Sequence, residues 1–204
     1  MATRKTLTIF LATITGLILI MTSSAMAAET PRYGGTLRVA MEAEPPSLDP
    51  HTTTATIVMV EGMHWLEAPF IQGAKYEIIP DLAESFNRSD DLKVWEIKFR
   101  EGVLFHNGKE LTSEDVVASL KRWGKRMSYG RILFRIVDSI EAADKYTIRL
   151  KLNKSSSVVP AYMTQRARCF IYPKEVIEEA GEGTVKRFIG TGPFQFVEHK
   201  PVVI

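Results

Sequence analysis

The chain has little of what most chemistries need. It carries one cysteine, Cys169, among 204 residues, which rules out an internal disulfide and any cysteine-rich metal centre. A lone thiol in an exported chain reads as a small buried apolar residue. The four histidines, His51, His64, His106 and His199, are scattered and lack the paired spacing of a metal motif, so no metal and no cofactor is expected. No G-x-S-x-G, no H-E-x-x-H and no Gly-rich phosphate loop occurs, since Gly34-Gly35 precedes a predicted strand instead of a helix. Enzymatic function is therefore not expected. The adjacent carboxylates Asp90-Asp91 and Glu178-Glu179 point apart in any regular element and read as solvated surface.

An excess of one charge is also missing. Arg4 and Lys5 are the only charges before residue 28, and without them the 26 basic residues fall to 24, against 24 acidic ones. Balance of this kind argues against a nucleic-acid or acidic-membrane partner. A membrane-spanning run is absent too, because the apolar stretch Leu7 to Met21 is interrupted by Thr8, Thr13, Thr15 and Gly16 and falls short of the roughly 20 residues a spanning helix needs. Placed between the basic Arg4-Lys5 and the small-residue Ala25-Met26-Ala27, that stretch instead reads as a secretory signal peptide over 1–27. No cysteine stands at the cleavage point to take a lipid, so residues 28–204 are expected to be soluble and periplasmic.

What is present is an ordinary globular composition, 45% hydrophobic and 25% charged, enough to bury a core. Thr36 to Ala40 alternates as a first strand. Ser47-Leu48-Asp49-Pro50, with prolines on both sides, is held extended as a shaped loop. Thr56 to Trp65 has helical spacing, with Ile57, Val60, Met63 and His64 or Leu66 on its predicted core face. Pro80 to Phe86 reads as a proline-led helical turn. Val94 to Arg100 is the clearest strand, Trp95, Ile97 and Phe99 pointing one way and Glu96, Lys98 and Arg100 the other. Asn107-Gly108 predicts a tight turn. Thr112 to Asp115 predicts a helix start, with Val116, Val117, Leu120 and Trp123 as its apolar stripe and the basic residues from Lys121 to Arg126 as its charge-matched end. Tyr146 to Leu152 reads as a second alternating strand, Lys174 to Ala180 as a helix ended by Gly181, and Phe194 and Phe196 as part of a last strand. Short strands alternating with helices give a mixed α/β layer structure.

In this order, Gly35-Thr36-Leu37, Ser47-Leu48-Asp49-Pro50, Pro80-Asp81-Leu82-Ala83-Glu84-Ser85, the run Trp95 to Gly108, Glu114-Asp115-Val116, Tyr172-Pro173-Lys174 and Gly190-Thr191-Gly192-Pro193-Phe194 resemble the extracellular solute-binding proteins of family 5. That family supplies the peptide-, dipeptide- and nickel-binding subunits of ABC importers. The resemblance implies a periplasmic-binding-protein type II-like fold, with residues 28–204 forming the first lobe and its inserted subdomain, truncated before lobe two. It implies a solute-binding subunit that captures peptides or a related small ligand, delivers them to ABC permease subunits, and is monomeric when complete. Peptide, glutathione, haem and nickel complexes all fit the family. A sensor partner on the same fold is the alternative, with an exported hydrolase behind it. The resemblance also places ligand contact on the loop after Ser-Leu-Asp-Pro, here His51, Thr52, Thr53, Thr54, Ala55 and Thr56. Three threonines stand where some relatives carry an acid, and hydroxyls donate and accept but do not offset an ammonium charge.

Overall fold

The structure, a computed structural model, describes residues 33–200; the predicted signal peptide lies outside them. The chain divides after Ala40. Residues 33–40 run without regular structure, with Leu37 and Val39 exposed, so the predicted first strand does not form. Alternation supplies only a side-chain pattern, and a strand also needs a neighbour for its backbone groups.

From Met41 onward the elements follow in the order α1 (Thr56–Trp65), β1 (Phe70–Gln72), β2 (Ile78–Pro80), β3 (Ala83–Arg88), β4 (Val94–Phe99), α2 (Ser113–Arg126), α3 (Ser128–Phe134), β5 (Val137–Ala142), β6 (Thr147–Leu152), α4 (Val159–Tyr162) and α5 (Lys174–Ala180). A 3-10 turn over Gln165–Ala167 precedes α5. Strands β1 and β2 form a small antiparallel pair, and β3-β4-β6-β5 form a four-stranded antiparallel sheet.

The period-2 pattern decides the sheet's faces. Trp95, Ile97 and Phe99 of β4 lie beside Ile148, Leu150 and Leu152 of β6, and all six are buried. On the other face Arg149 bridges Glu96 at 2.7 Å, and Lys98 bridges Glu84 at 2.9 Å. Val116, Leu120 and Trp123 of α2 complete the same core. The helix starts at a capping box, where the Thr112 backbone N–H donates to the Asp115 carboxylate at 2.8 Å. Asp115 also accepts the Lys174 N–H at 2.7 Å, which joins the starts of α2 and α5. Asn107-Gly108 makes the expected turn, with Gly108 at φ 80°.

Three local expectations are corrected. Pro80 to Phe86 is not helical: Asp81 and Leu82 donate to the Pro69 and Ala68 carbonyls at 3.0 and 3.1 Å, and Ala83 onward pairs with β4. Pairing with distant backbone overrides the local proline signal. In α1 the buried residues are Ile57, Val58, Gly62 and Trp65, while Met63 is exposed. Apolar residues surround most of this helix, so spacing alone could not choose its inner face. Phe194 and Phe196 belong to no strand; Phe194 donates its N–H to the His64 carbonyl at 3.0 Å, and Phe196 packs on Phe188.

Candidate functional site

Asp49 is fully buried, and its carboxylate accepts five hydrogen bonds. Oδ1 receives Arg122 Nη1 at 3.1 Å, the Tyr172 hydroxyl at 3.1 Å and the His51 N–H at 3.0 Å. Oδ2 receives Arg122 Nη2 at 2.6 Å and the Val185 N–H at 3.0 Å. Burial alone would raise the pKa of this carboxyl. The bound Arg122 guanidinium outweighs that and holds it below the usual carboxylate range. The pair is bidentate and dry, the geometry in which charge-assisted bonds are strongest.

Arg122 is thereby a correction to the sequence reading. It sits among basic residues at the end of α2, yet only 4% of its side chain is exposed, and it faces inward. Periodicity counted it with the solvated charges because nothing local marks the acid 73 positions upstream.

This hub fixes the loop that follows. The Thr52 N–H and hydroxyl both donate to the Asp49 carbonyl, at 3.0 and 2.8 Å, and the Thr52 hydroxyl lies 3.2 Å from that of Ser47. The Thr53 hydroxyl accepts the Ala55 N–H at 3.1 Å. The Thr54 carbonyl accepts Arg168 Nη2 at 2.6 Å. Arg168 itself holds a left-handed backbone, φ 57°, an uncommon conformation for a long side chain.

Of the six loop residues, His51 is buried, Thr52, Thr53 and Ala55 are half-buried, and Thr54 and Thr56 are exposed. His51 packs edge-on against Tyr172, with ring centroids 5.1 Å apart, and neither ring nitrogen has a partner among the described residues. Burial pushes its imidazole down to about 3, against the opposing pull of Asp49.

Thr56 opens onto a groove of about 490 Å³ shared with Gln72, Tyr129, Tyr162, Arg166 and Arg168. Sequence reasoning missed all five of these partners. Tyr129 and Tyr162 stand 5.9 Å apart as a tilted aromatic pair. Arg166 is exposed and forms no ion pair among the described residues. Arg168 is partly spent on Thr54, and burial lowers it from the usual arginine range. The groove thus offers hydroxyls, two aromatic faces and one guanidinium without an ion pair among the described residues, a set suited to holding a polar organic solute bearing an acid group. Elsewhere Cys169 is fully buried, as expected, which pushes its thiol well up and removes its reactivity. Among the described residues no three potential ligands gather into a metal site.

Residues 77–204 match the family model for bacterial extracellular solute-binding proteins, family 5 Middle. The chain belongs to this family. It is 28% identical over 178 residues to the probable peptide ABC transporter periplasmic-binding protein y4tO of Sinorhizobium fredii, covering 87% of this chain and 32% of the relative. It is 29% identical to the oligopeptide-binding protein AppA of Bacillus subtilis, covering 95% of this chain and 37% of that one. The chain therefore spans about a third of the length of these relatives. Among solved structures, it superimposes on the periplasmic binding protein AgaA of A. tumefaciens R10, in complex with agropinic acid, with TM-score 0.68 and 29% identity, over 77% of this chain and 32% of that one. Haemophilus influenzae OppA, in complex with the peptide RPPGFSPFR, shares the fold at TM-score 0.67 and 23% identity, over 78% of this chain and 35% of that one. The periplasmic-binding-protein architecture read from the sequence is thus the one present, and these relatives are binding proteins rather than enzymes.

Proposed function

We propose that the chain forms one wall of the ligand cleft in a solute-binding subunit of an ABC importer, and that the captured solute carries a carboxylate. The observation that carries this reading is Arg166, a guanidinium without an ion-pair partner among the described residues, beside the Tyr129–Tyr162 pair and the stapled Thr52 to Thr56 loop. Family membership supports capture over catalysis. Relatives named for peptides, for glutathione and for agropinic acid share an organic acid as cargo, and a short peptide or an opine-like acid fits the groove's donor set. In this reading Thr54 and Thr56 meet the ligand, while His51, Thr52, Thr53 and Ala55 hold the loop's shape.

The subunit is exported, residues 1–27 are removed, and the periplasmic product docks on the permease as a monomer. Intact mass of the periplasmic fraction checks the export step, and a species that keeps Met1 in the membrane pellet overturns it. For binding, calorimetry of the purified chain with a dipeptide and with its C-terminal amide measures the carboxylate's share. One guanidinium–carboxylate pair accounts for about tenfold in affinity. The free acid is expected to bind about tenfold more tightly than the amide, with Arg166→Ala erasing the difference and no peptide consumed. Equal binding of acid and amide refutes the carboxylate reading, and accumulation of hydrolysed peptide refutes the binding-protein reading.

A further inference from the structure

The His-Asn-Gly turn and the Gly-Thr-Gly segment lie 84 residues apart in sequence and meet through one side chain. His106 Nδ1 accepts the Gly190 N–H at 3.3 Å, its Nε2 lies 2.8 Å from the Gly192 carbonyl, and its own backbone N–H donates to the Gly190 carbonyl at 2.8 Å. A carbonyl only accepts, so Nε2 must carry a hydrogen; a backbone N–H only donates, so Nδ1 must be bare. The two partners together leave one state of the ring, the neutral Nε2–H tautomer.

The segment held in this way is pressed on its other side against the end of α1. A Cβ added at Gly190 would collide with the Trp65 carbonyl oxygen, and one at Gly192 would lie 2.8 to 2.9 Å from the Trp65 and His64 backbone. Real side chains do not approach that closely, so only glycine fits at either position. Gly192 and Phe194 donate their N–H groups to the Trp65 and His64 carbonyls, at 3.1 and 3.0 Å, which occupies acceptors that the last turn of the helix leaves open. Helix α1 is therefore clamped at its C-terminal end by a strap, and its first residue, Thr56, lines the groove.

We infer that His106 is a positioning residue: in a single neutral tautomer it seats the Gly190–Gly192 strap on the end of α1 and so fixes the helix that carries one side of the groove. A doubly protonated ring would turn Nδ1–H toward the Gly190 N–H, donor against donor, and release one side of the strap. The charged groups around the turn are Lys109 and Glu175, paired with each other at 2.8 Å, Asn107 also reaching Glu175 at 3.3 Å. From α1 the titratable neighbour of the strap is His64, whose Nδ1 lies 2.8 Å from the Val60 carbonyl and whose ring packs edge-on against Phe194. Gly190 to Pro193 bring no charge of their own. The inference stands on these contacts and does not depend on which solute the groove takes.

Nitrogen-15 spectra of the full chain, together with amide exchange, test it. The His106 ring is expected to show a protonated Nε2 and a bare Nδ1. One hydrogen bond of this kind corresponds to about five- to tenfold in local opening. His106→Leu is expected to lower protection at Gly192 and Phe194 by about that factor while amides of β4 stay unchanged. His106→Gln, which both donates and accepts, is expected to restore most of it. An Nδ1–H tautomer overturns the inference, as does unchanged protection at Gly192 in His106→Leu or a loss spread evenly into β4. If His106→Leu does not fold, the tautomer and the protection at Gly192 and Phe194 in His106→Gln decide the matter.

Discussion

The four-stranded sheet with α2 and the loop region around Asp49 are stabilised by opposite means. The sheet region excludes water with interchangeable apolar groups: Trp95, Ile97, Phe99, Ile148, Leu150 and Trp123 are almost wholly buried, and ion pairs stay on its wet face. Stability there is spread over many contacts, each replaceable at a moderate loss. The loop region concentrates its order in one carboxylate that collects Arg122, Tyr172, His51 and Val185 from distant parts of the chain. A buried charge network tolerates no missing member, because each loss strands a partner in a dry interior. The contrast teaches that the part of this protein built to hold its own shape is apolar and redundant. The part that presents a groove is polar and specific.

Substitutions can break this comparison, beginning with the largest effect. Arg122→Met leaves the Asp49 carboxylate buried without its cation and is expected to cost about 3–5 kcal/mol, whereas joint replacement of Asp49 and Arg122 by Leu and Met removes the stranded charge but leaves the Tyr172 hydroxyl and the His51 and Val185 N–H groups without an acceptor, and is expected to recover only part of that loss. Denaturant titration of both variants checks it. A double variant no more stable than Arg122→Met would mean that the network contributes more than paired charge. In the sheet, Trp95→Ala is expected to cost about 3–5 kcal/mol, a transfer loss plus a cavity. A loss below about 1 kcal/mol would show that β4 is not the core strand.

The next effect is a slope against pH. His51 titrates near 6.5 when unfolded and at about 3 when folded. The folded state keeps the ring neutral between those values while the unfolded state takes up a proton. Stability is therefore fully present above pH 6.5 and is lost as pH falls, by up to about 1.4 kcal/mol per unit. His51→Leu is expected to flatten that limb between pH 6 and 4, and stability curves that stay parallel for the two proteins would refute the neutral buried ring. Smallest of all, Lys98→Ala removes an exposed pair with Glu84 and is expected to shift stability by less than about 0.5 kcal/mol. A Lys98→Ala loss equal to that of Trp95→Ala would overturn the assignment of the sheet's two faces.

Much of the apolar half was legible before any coordinates. Val94 to Phe99 and Thr147 to Leu152 announce themselves by strict alternation, and Thr112 with Asp115 announces the start of α2, because each signal is complete within a few residues. The short strands β1, β2 and β5 and the helix α3 gave no such signal. Val137 to Ala142 carries a register shift against β6, which scrambles the period that would reveal it. The candidate site was legible only as a loop. Thr56 was placed there, yet Arg166, Tyr129 and Tyr162 come from later elements that no spacing rule ties to residue 56.

The sequence by itself determined the family, the order of the main elements and the buried face of the central strand, since these rest on local periodicity, capping residues and contiguous motifs. Only the tertiary structure decided that Asp49 meets Arg122, that His51 faces inward, that His106 holds the Gly190–Gly192 strap and that Pro80 to Phe86 runs into a strand. The reason is one of range. A periodic pattern reports which side of an element avoids water, whereas the partner of a buried charge or a backbone N–H is selected by where the folded chain places it, 73 residues away for Asp49 and Arg122 and 84 for His106 and Gly190.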